Sequence, residues 1–409
     1  MVETGMTNPR VARHAVPQRA RVLATCCGAH ILHDGFSDLI YVLLPVWQAA
    51  LGLSLAEVGV LRTAFTGATA ILQMPSSLVA DRIGERWTLV MGTALAGIGY
   101  ILAGWAGGFA TLLLCLAVGG AGSSVQHPIS ASLTARAFEG RSLRTALSTY
   151  NFSGDIGKML LPALTTWLVT LWHWRVATMA VGLLGLATAL AILFLLPASS
   201  RRTIAETSPR PVVDPPVTLD SALARRGFWA LSAVATVDSA TRTGFLTFLP
   251  FLLTLKGASL PTIGVALSLV FAGGATGKFV CGIVARRAGI LRTVILTECA
   301  TAAGIVLLLP LSIMGSLILL PLIGVVLNGT SSVLYGTVAE LAPAERRARA
   351  FGVFYTVTIA AGAIAPALYG VFSDAHGVKA SLVLVAAVVL LVVPLTLPLR
   401  APLAALPSE

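Results

Sequence analysis

Long apolar runs, punctuated by short polar clusters, set the pattern of this chain. Residues 177–198 (ATMAVGLLGLATALAILFLLPA) carry no charged side chain, and 300–338 run nearly twice that length without one. A bilayer-crossing helix needs about 20 such residues. Cutting the runs at their polar breaks predicts twelve helical spans. They lie at roughly 22–48, 56–79, 87–105, 109–134, 145–170, 174–197, 227–254, 260–284, 291–313, 316–341, 347–372 and 378–399. What is left over is polar: an N-terminal tail (1–21), a Pro- and Arg-rich segment (198–224) containing SPRPVVDPPV, and a short C-terminal tail (401–409). Proline at that density resists helix, so 198–224 is expected to be a linker between two halves, 22–197 and 225–400.

Composition agrees. Only 11% of the 409 residues are charged and 56% are hydrophobic, whereas a soluble chain carries roughly 25% charged residues. The fold class expected is an all-α membrane protein with twelve transmembrane helices. The net charge of +11 suggests nucleic acid until its placement is mapped. Of 28 Lys and Arg, 21 fall on one side of the spans, and only Arg175, Lys256 and Lys379 on the other. Arg62, Lys158, Arg242 and Lys278 lie inside spans. Basic residues concentrate on the cytoplasmic side, so both termini are expected there, with a lipid bilayer and no nucleic acid as partner. The first residues lack the small-residue cleavage site of a signal peptide. Cys26, Cys27, Cys115, Cys281 and Cys299 all fall in spans without CxxC spacing, which predicts small core residues and neither metal nor cofactor.

A repeat at an offset of 205 residues organises the spans. LGLSLAEVGV (51–60) matches KGASLPTIGV (256–265), setting Gly52 on Gly257, Ser54 on Ser259 and Gly59 on Gly264. In the same register Pro45 meets Pro250, Arg82 meets Arg287, Gly84 meets Gly289, Tyr150 meets Tyr355 and Gly157 meets Gly362. The expectation is two six-helix pseudo-repeats in parallel orientation.

Ionisable residues inside spans are rare, face the bundle interior and are candidates for function. Span one contains HILHDGFSDL, in which His30, Asp34 and Asp38 recur every four residues and so share a helix face, with His33 nearby. A carboxyl in low dielectric beside an imidazole can exchange protons near neutral pH. Asp34, Asp38, His30 and His33 are therefore proton-coupling candidates, the alternative being a His–Asp pair that holds span one to a neighbour. Span five contains YNFSGDIGKMLLP, where Asp155 and Lys158 lie three apart: Asp155 joins the proton set. Lys158 offers a site for an anion, with Tyr150 and Asn151 as further binding candidates; an internal Asp–Lys bridge is the alternative. Span seven has Asp238 and Arg242, with Asp238 matching His33 at the repeat offset. Asp238 is a further proton candidate, and Arg242 a site for a carboxylate or phosphonate unless it clamps Asp238 or Asp155. His127, before Pro128, sits where span four should break, and is a substrate-binding candidate as a hydrogen-bonding residue of the cavity, a kink-side histidine near the cytoplasm being the alternative. Arg62 is expected to snorkel to the outer end of span two, Lys278 to lie near the cytoplasmic end of span eight, and Glu298 to have a structural partner outside the cavity.

The loop between spans two and three reads SLVADRIGER (77–86). With the repeat, it resembles the signature of the major facilitator superfamily, although Ser77 replaces the usual Gly. The resemblance implies a transporter fold with a cytoplasmic gate at Asp81, Arg82, Gly84 and Arg86. Asp81 would face a helix N-terminus of the other half, and the arginines would reach neighbouring carboxylates. The second copy, GIVARRAGILR (282–292), has Arg286 in the acid's place. Gly154, Gly157 and Pro162 are similar to the Gly-rich span five of the superfamily's antiporters, without their Gly-Pro pair. GGAGSSVQHP (119–128), with His30 and Asp34, resembles the bacterial fosmidomycin-resistance branch, which implies drug expulsion in exchange for protons.

No nucleophile triad, phosphate loop or metal string lies in a soluble domain, because the tails and linker are too short to form one. An enzyme is not expected. The reading is a monomeric, proton-coupled carrier in a bacterial inner membrane, exporting a small anionic or zwitterionic compound. Proton symport of an organic anion is the alternative, and a non-transporting sensor on the same fold a more distant one.

Overall fold

The computed structural model describes residues 9–197, 221–342 and 347–405, and throughout these ranges the regular structure is helical. Span one is α1 (Pro9–Leu51), followed by α2 (Leu55–Ile83), α3 (Glu85–Ala103), α4 (Phe109–Ser123), α5 (Gln126–Ala137), α6 (Gly140–Leu171) and α7 (Trp174–Leu195). The second half contains α8 (Ser221–Leu255), α9 (Leu260–Ala288), α10 (Ile290–Leu308), α11 (Ile313–Leu341), α12 (Arg347–His376), α13 (Val378–Val389), α14 (Val392–Leu395) and α15 (Arg400–Ala404). Each expected span is a helix or a short relay of helices. Span four divides into α4 and α5 because Pro128 has no N–H for the carbonyl of Ser124. The last span divides where Pro394, Pro398 and Pro402 interrupt it. Helix α1 extends back into the segment read as a tail, and α8 starts four residues before the expected end of the linker. The rest of that linker lies outside the described residues.

The repeat has a physical basis in its turns. Gly52 and Gly257 take φ of 65° and 83°, and Gly84 and Gly289 take 90° and 85°, backbone angles that glycine adopts without a Cβ clash. Two residues on, Ser54 and Ser259 cap α2 and α9, each accepting a hydrogen bond from a backbone N–H of the first turn. Packing repeats likewise. In the first half α1 lies on α6, α2 on α4, and α3 on α4 and α7. In the second, α8 lies on α12, α9 on α11, and α10 on α11 and α13. The halves meet along α2–α12 and α6–α9, the same contact in pseudo-symmetric copies. Small residues bring these helices together: Gly59 faces the backbone of Pro366, and Gly264 faces the side chain of Thr166, while within the first half Gly157 faces the backbone of Ile31.

The halves do not meet evenly along their length. One hydrophobic cluster, with Tyr41, Trp47, Phe65, Phe245, Phe248 and Leu252, is built from both halves at the end bearing the α1–α2 turn. Toward the α2–α3 turn the core splits. Val22, Cys26, Leu89 and Ile192 form a cluster in the first half alone, and Leu231, Val234, Leu334 and Phe354 one in the second. Cross-half hydrogen bonds follow the same bias: Asp374 at the end of α12 accepts from the backbone N–H groups of Leu55 (2.7 Å) and Ala56 (2.9 Å), and Thr63 donates to the carbonyl of Ala363 (2.6 Å). The chain is thus closed at one end and parted at the other. Outside the bundle, Leu183, Leu190, Phe194, Ile318 and Leu322 are exposed, as lipid-facing side chains should be.

Candidate functional site

Asp34 is the hub of the first half. Its carboxyl lies 3.3 Å from His30 Nε2, 3.5 Å from His127 Nε2 and 3.3 Å from Lys158 Nζ. Three elements converge here for local reasons. His30 is one helical turn before Asp34 on α1. His127 is delivered by the break before α5. Lys158 reaches across from α6, where Gly154 has no side chain to collide with Asp34 and His30. His30 is fixed on its other side, its Nδ1 lying 2.7 Å from the carbonyl of Tyr150 and its ring stacking on Tyr150 at 4.3 Å. Gln126 Nε2 donates to the Tyr150 hydroxyl at 3.0 Å.

The Tyr150 carbonyl can only accept, so His30 Nδ1 must carry a hydrogen. His30 Nε2 then faces the Asp34 carboxyl at 3.3 Å.

From Asp34 an ionic chain crosses the molecule. Lys158 also lies 3.9 Å from Asp155, and Lys278 of α9 contacts both Asp155 oxygens at 2.7 Å. Lys278 was expected near the cytoplasmic end of its span as a weak candidate; it instead ties the two halves together. The basic side chains face open space: Lys158 and Lys278 are 32% and 41% exposed, with His127 beside them at 49%, against 11% and 10% for Asp34 and Asp155. An approaching solute therefore meets positive charge first.

Other candidates are placed differently. His33 points away from this chain toward α3, its Nε2 2.9 Å from Thr93 Oγ1. Asp38 is buried opposite Arg62 (3.9 Å), whose guanidinium donates to the Ser37 carbonyl (2.5 Å) and covers the Tyr41 ring at 4.3 Å. Arg62 does not snorkel as expected, because Asp38 and the Ser37 carbonyl offer it partners inside. Arg242 donates to Ser331 Oγ at 3.0 Å, and Ser331 donates to Asp238 at 2.9 Å. Arg242 thus reaches Asp238 through a hydroxyl and does not bond Asp155. Asn151 is exposed, one turn before Asp155 on the same face of α6.

The expected gate is disengaged. Asp81 and Arg82 are exposed and have no hydrogen bond or ion pair among the described residues, and Gly84 makes the tight turn. Arg86 reaches a backbone carbonyl, that of Leu193, where a carboxylate was expected. The carboxylate contact in this loop belongs to Glu85, which accepts from Ser132 (2.5 Å) and pairs with Arg136 (3.6 Å).

His30, Asp34 and His127 bring ligand atoms within 4.8 Å of one another, a possible metal set. Lys158 stands 3.3 Å from the same Asp34 carboxyl, which sets a positive charge against an ion there.

Twelve helical spans among the described residues, in two matching halves parted at one end around buried ion pairs, define a multi-pass membrane transporter and not an enzyme. The chain belongs to the Major Facilitator Superfamily, whose family model matches residues 26–357 and again 231–409. It is 31% identical over 143 residues to the fosmidomycin resistance protein of Escherichia coli K12, a match covering 35% of each chain. Over 374 residues it is 28% identical to a probable 4-methylmuconolactone transporter of Cupriavidus pinatubonensis, covering 88% of this chain and 85% of that one. Among solved structures, a bacterial homologue of the human lysosomal transporter Spinster, in an inward-facing and occupied conformation, superposes with a TM-score of 0.78 at 17% identity. That match covers 96% of this chain and 99% of the other.

Sequence reasoning missed Arg62, Lys278 and Glu298 as members of the buried polar network. Each already stood out as an ionisable residue within a span. What was lacking was the partner on another helix.

Proposed function

We propose that the protein is a proton-coupled carrier of a bacterial inner membrane, with both termini cytoplasmic, that exports a small anionic or zwitterionic compound by alternating access. Asp34 is the carboxyl that carries the coupling proton. The observation behind this reading is the Asp34 carboxyl, 11% exposed, with His30, His127 and Lys158 all within 3.5 Å, so that a proton and a lysine compete for the same group. Loading a proton on Asp34 releases Lys158; unloading it restores the ion pair. Lys158, Lys278, Arg242 and His127 are the cargo contacts, with Asn151 and Tyr150 beside them. His33 positions α1 against α3.

The 21-to-3 distribution of basic residues supports assigning the parted end to the cytoplasm, and the solved neighbour is described as inward-facing. On that assignment Asp81, Arg82, Gly84 and Arg86 form a cytoplasmic gate that engages when the halves close there, and the Asp374 contact is the outer seal. A cationic group on a zwitterionic cargo would compete with the proton for Asp34, which gives exchange. A purely anionic cargo gains Lys158 only when Asp34 is protonated, which gives symport; uptake of an organic anion is the second reading for that reason. Likeness to a protein named for fosmidomycin resistance favours export.

The test is flux in proteoliposomes containing a pH-sensitive dye, challenged with organic acids, phosphonates and zwitterionic drugs. Cargo movement opposite to proton movement supports export, and movement in the same direction supports symport. Cargo movement unaffected by a pH gradient, and moving no protons, refutes coupling of either kind.

A further inference from the structure

The second half contains a polar site that the Asp34 network does not use. Asp238 on α8 and Glu298 on α10 are 4% and 2% exposed. The two side chains are neighbours, and Thr330 on α11 lies beside Glu298. Asp238 accepts from Ser331 at 2.9 Å. One Glu298 oxygen, Oε1, is buried without a partner. Two carboxylates cannot hydrogen-bond, because neither has a donor. Two buried carboxylates side by side repel, and one proton held between them removes the repulsion and supplies the donor.

Charge accounting gives the same answer independently. Within the membrane the acids are Asp34, Asp38, Asp155, Asp238 and Glu298, and the Lys and Arg cations are Arg62, Lys158, Arg242 and Lys278, while His30 and His127 stand at Asp34 and His33 at Thr93, away from the pair. Asp38 has Arg62, while Asp34 and Asp155 have Lys158 and Lys278. Only Arg242 is left for both Asp238 and Glu298, and it bonds Ser331 rather than standing between them. The other titratable groups around the pair are the Cys281 thiol on α9, adjacent to Glu298, and the Tyr335 hydroxyl on α11, both neutral in their usual forms.

The repeat register places this pair with meaning. Asp238 matches His33 and Glu298 matches Thr93, the two residues in contact at 2.9 Å in the first half. At one position between the first and third helices, the first half has a neutral His–Thr contact and the second has two acids.

We infer that Asp238 and Glu298 form a second proton-binding site, holding one shared proton in the second half of the carrier. The site has access to water. Asp238, Arg242 and Ser331 line a small cavity of about 10 Å³, room for roughly one water molecule. Proton release is from Asp238 to that water, leaving two carboxylates beside Arg242; uptake is the reverse. Glu298, behind Asp238, stabilises the loaded form by its hydrogen bond. This deepens the proton-coupling reading, yet its test needs neither cargo nor flux, so it can fail while Asp34 coupling stands.

The test is infrared spectroscopy of the full chain in lipid bilayers at pH 7, reading the carbonyl stretch of protonated carboxylic acids and its shift in deuterated water. Wild type should show a band equivalent to one carboxyl. E298Q and D238N should each lose it, since either leaves a single acid beside Arg242, and D34N, which leaves the pair intact, should retain it. Absence of the band from wild type overturns the inference without any variant. So does its persistence, at unchanged area, in both E298Q and D238N. Should one substitution prevent folding, the other and the wild-type spectrum still decide.

Discussion

Arg62 offers the sharpest energetic prediction. Its guanidinium is buried with Asp38 at 3.9 Å, the Ser37 carbonyl and the Tyr41 ring. Replacing Arg62 with Met keeps most of the side-chain volume and strands the Asp38 carboxylate. A buried charge that loses its partner costs about 3–5 kcal/mol. The cost is bounded because Asp38 can take up a proton instead. From an ordinary carboxyl near 3.9 to pH 7 is about 3 units at 1.36 kcal/mol each, so about 4 kcal/mol. The expected penalty for R62M is thus about 4 kcal/mol at pH 7, and protonation makes it shrink by about 1.4 kcal/mol for each unit of acidification. Adding D38N should restore all but roughly 1 kcal/mol, since no charge is then left unpaired. The assay is equilibrium unfolding in mixed micelles followed by tryptophan fluorescence, across pH, for wild type, both single variants and the double. If the two single penalties add to within about 0.5 kcal/mol in the double variant, Arg62 and Asp38 are independent and the buried pair is refuted.

Other consequences follow from the packing and the seal. Gly157→Ala places a methyl against the backbone of Ile31 and should destabilise the α1–α6 contact by about 1–3 kcal/mol; Gly67→Ala, with open space around it, should not, and equal melting temperatures for the two would contradict the account. Asp374→Ala removes the acceptor for two N–H groups of α2 and should favour opening at that end, read as faster labelling of a cysteine placed at Leu55; labelling at the wild-type rate would count against the seal. Lys158→Met should abolish cargo binding by an anionic compound that wild type binds, while retention of affinity would move the anion site to Arg242.

Much of the architecture was legible beforehand, and the reasons are local. Span length follows from the apolar runs, and the two halves from turns whose glycine and serine recur 205 residues apart because each turn needs a positive φ followed by a cap. The shared face of His30 and Asp34 is legible too, since helical periodicity fixes it within one element. Partners on other helices were not. Nothing in the sequence says that Lys278 meets Asp155 across the halves, or that Arg62 turns inward to Asp38, because the spacing within a helix sets a direction and only tertiary packing sets what lies there. Arg86 illustrates the same limit: a signature supplied its place in the loop, while the partner turned out to be the carbonyl of Leu193.

The most direct test of the central claim separates carriage from coupling in Asp34→Asn. Proteoliposomes with the wild-type protein should show both cargo counterflow without a pH gradient and cargo accumulation driven by one. In the variant, counterflow should persist, because no proton need cycle, and gradient-driven accumulation should disappear. Accumulation at the wild-type level in the variant would contradict the account and pass the coupling role to another carboxyl.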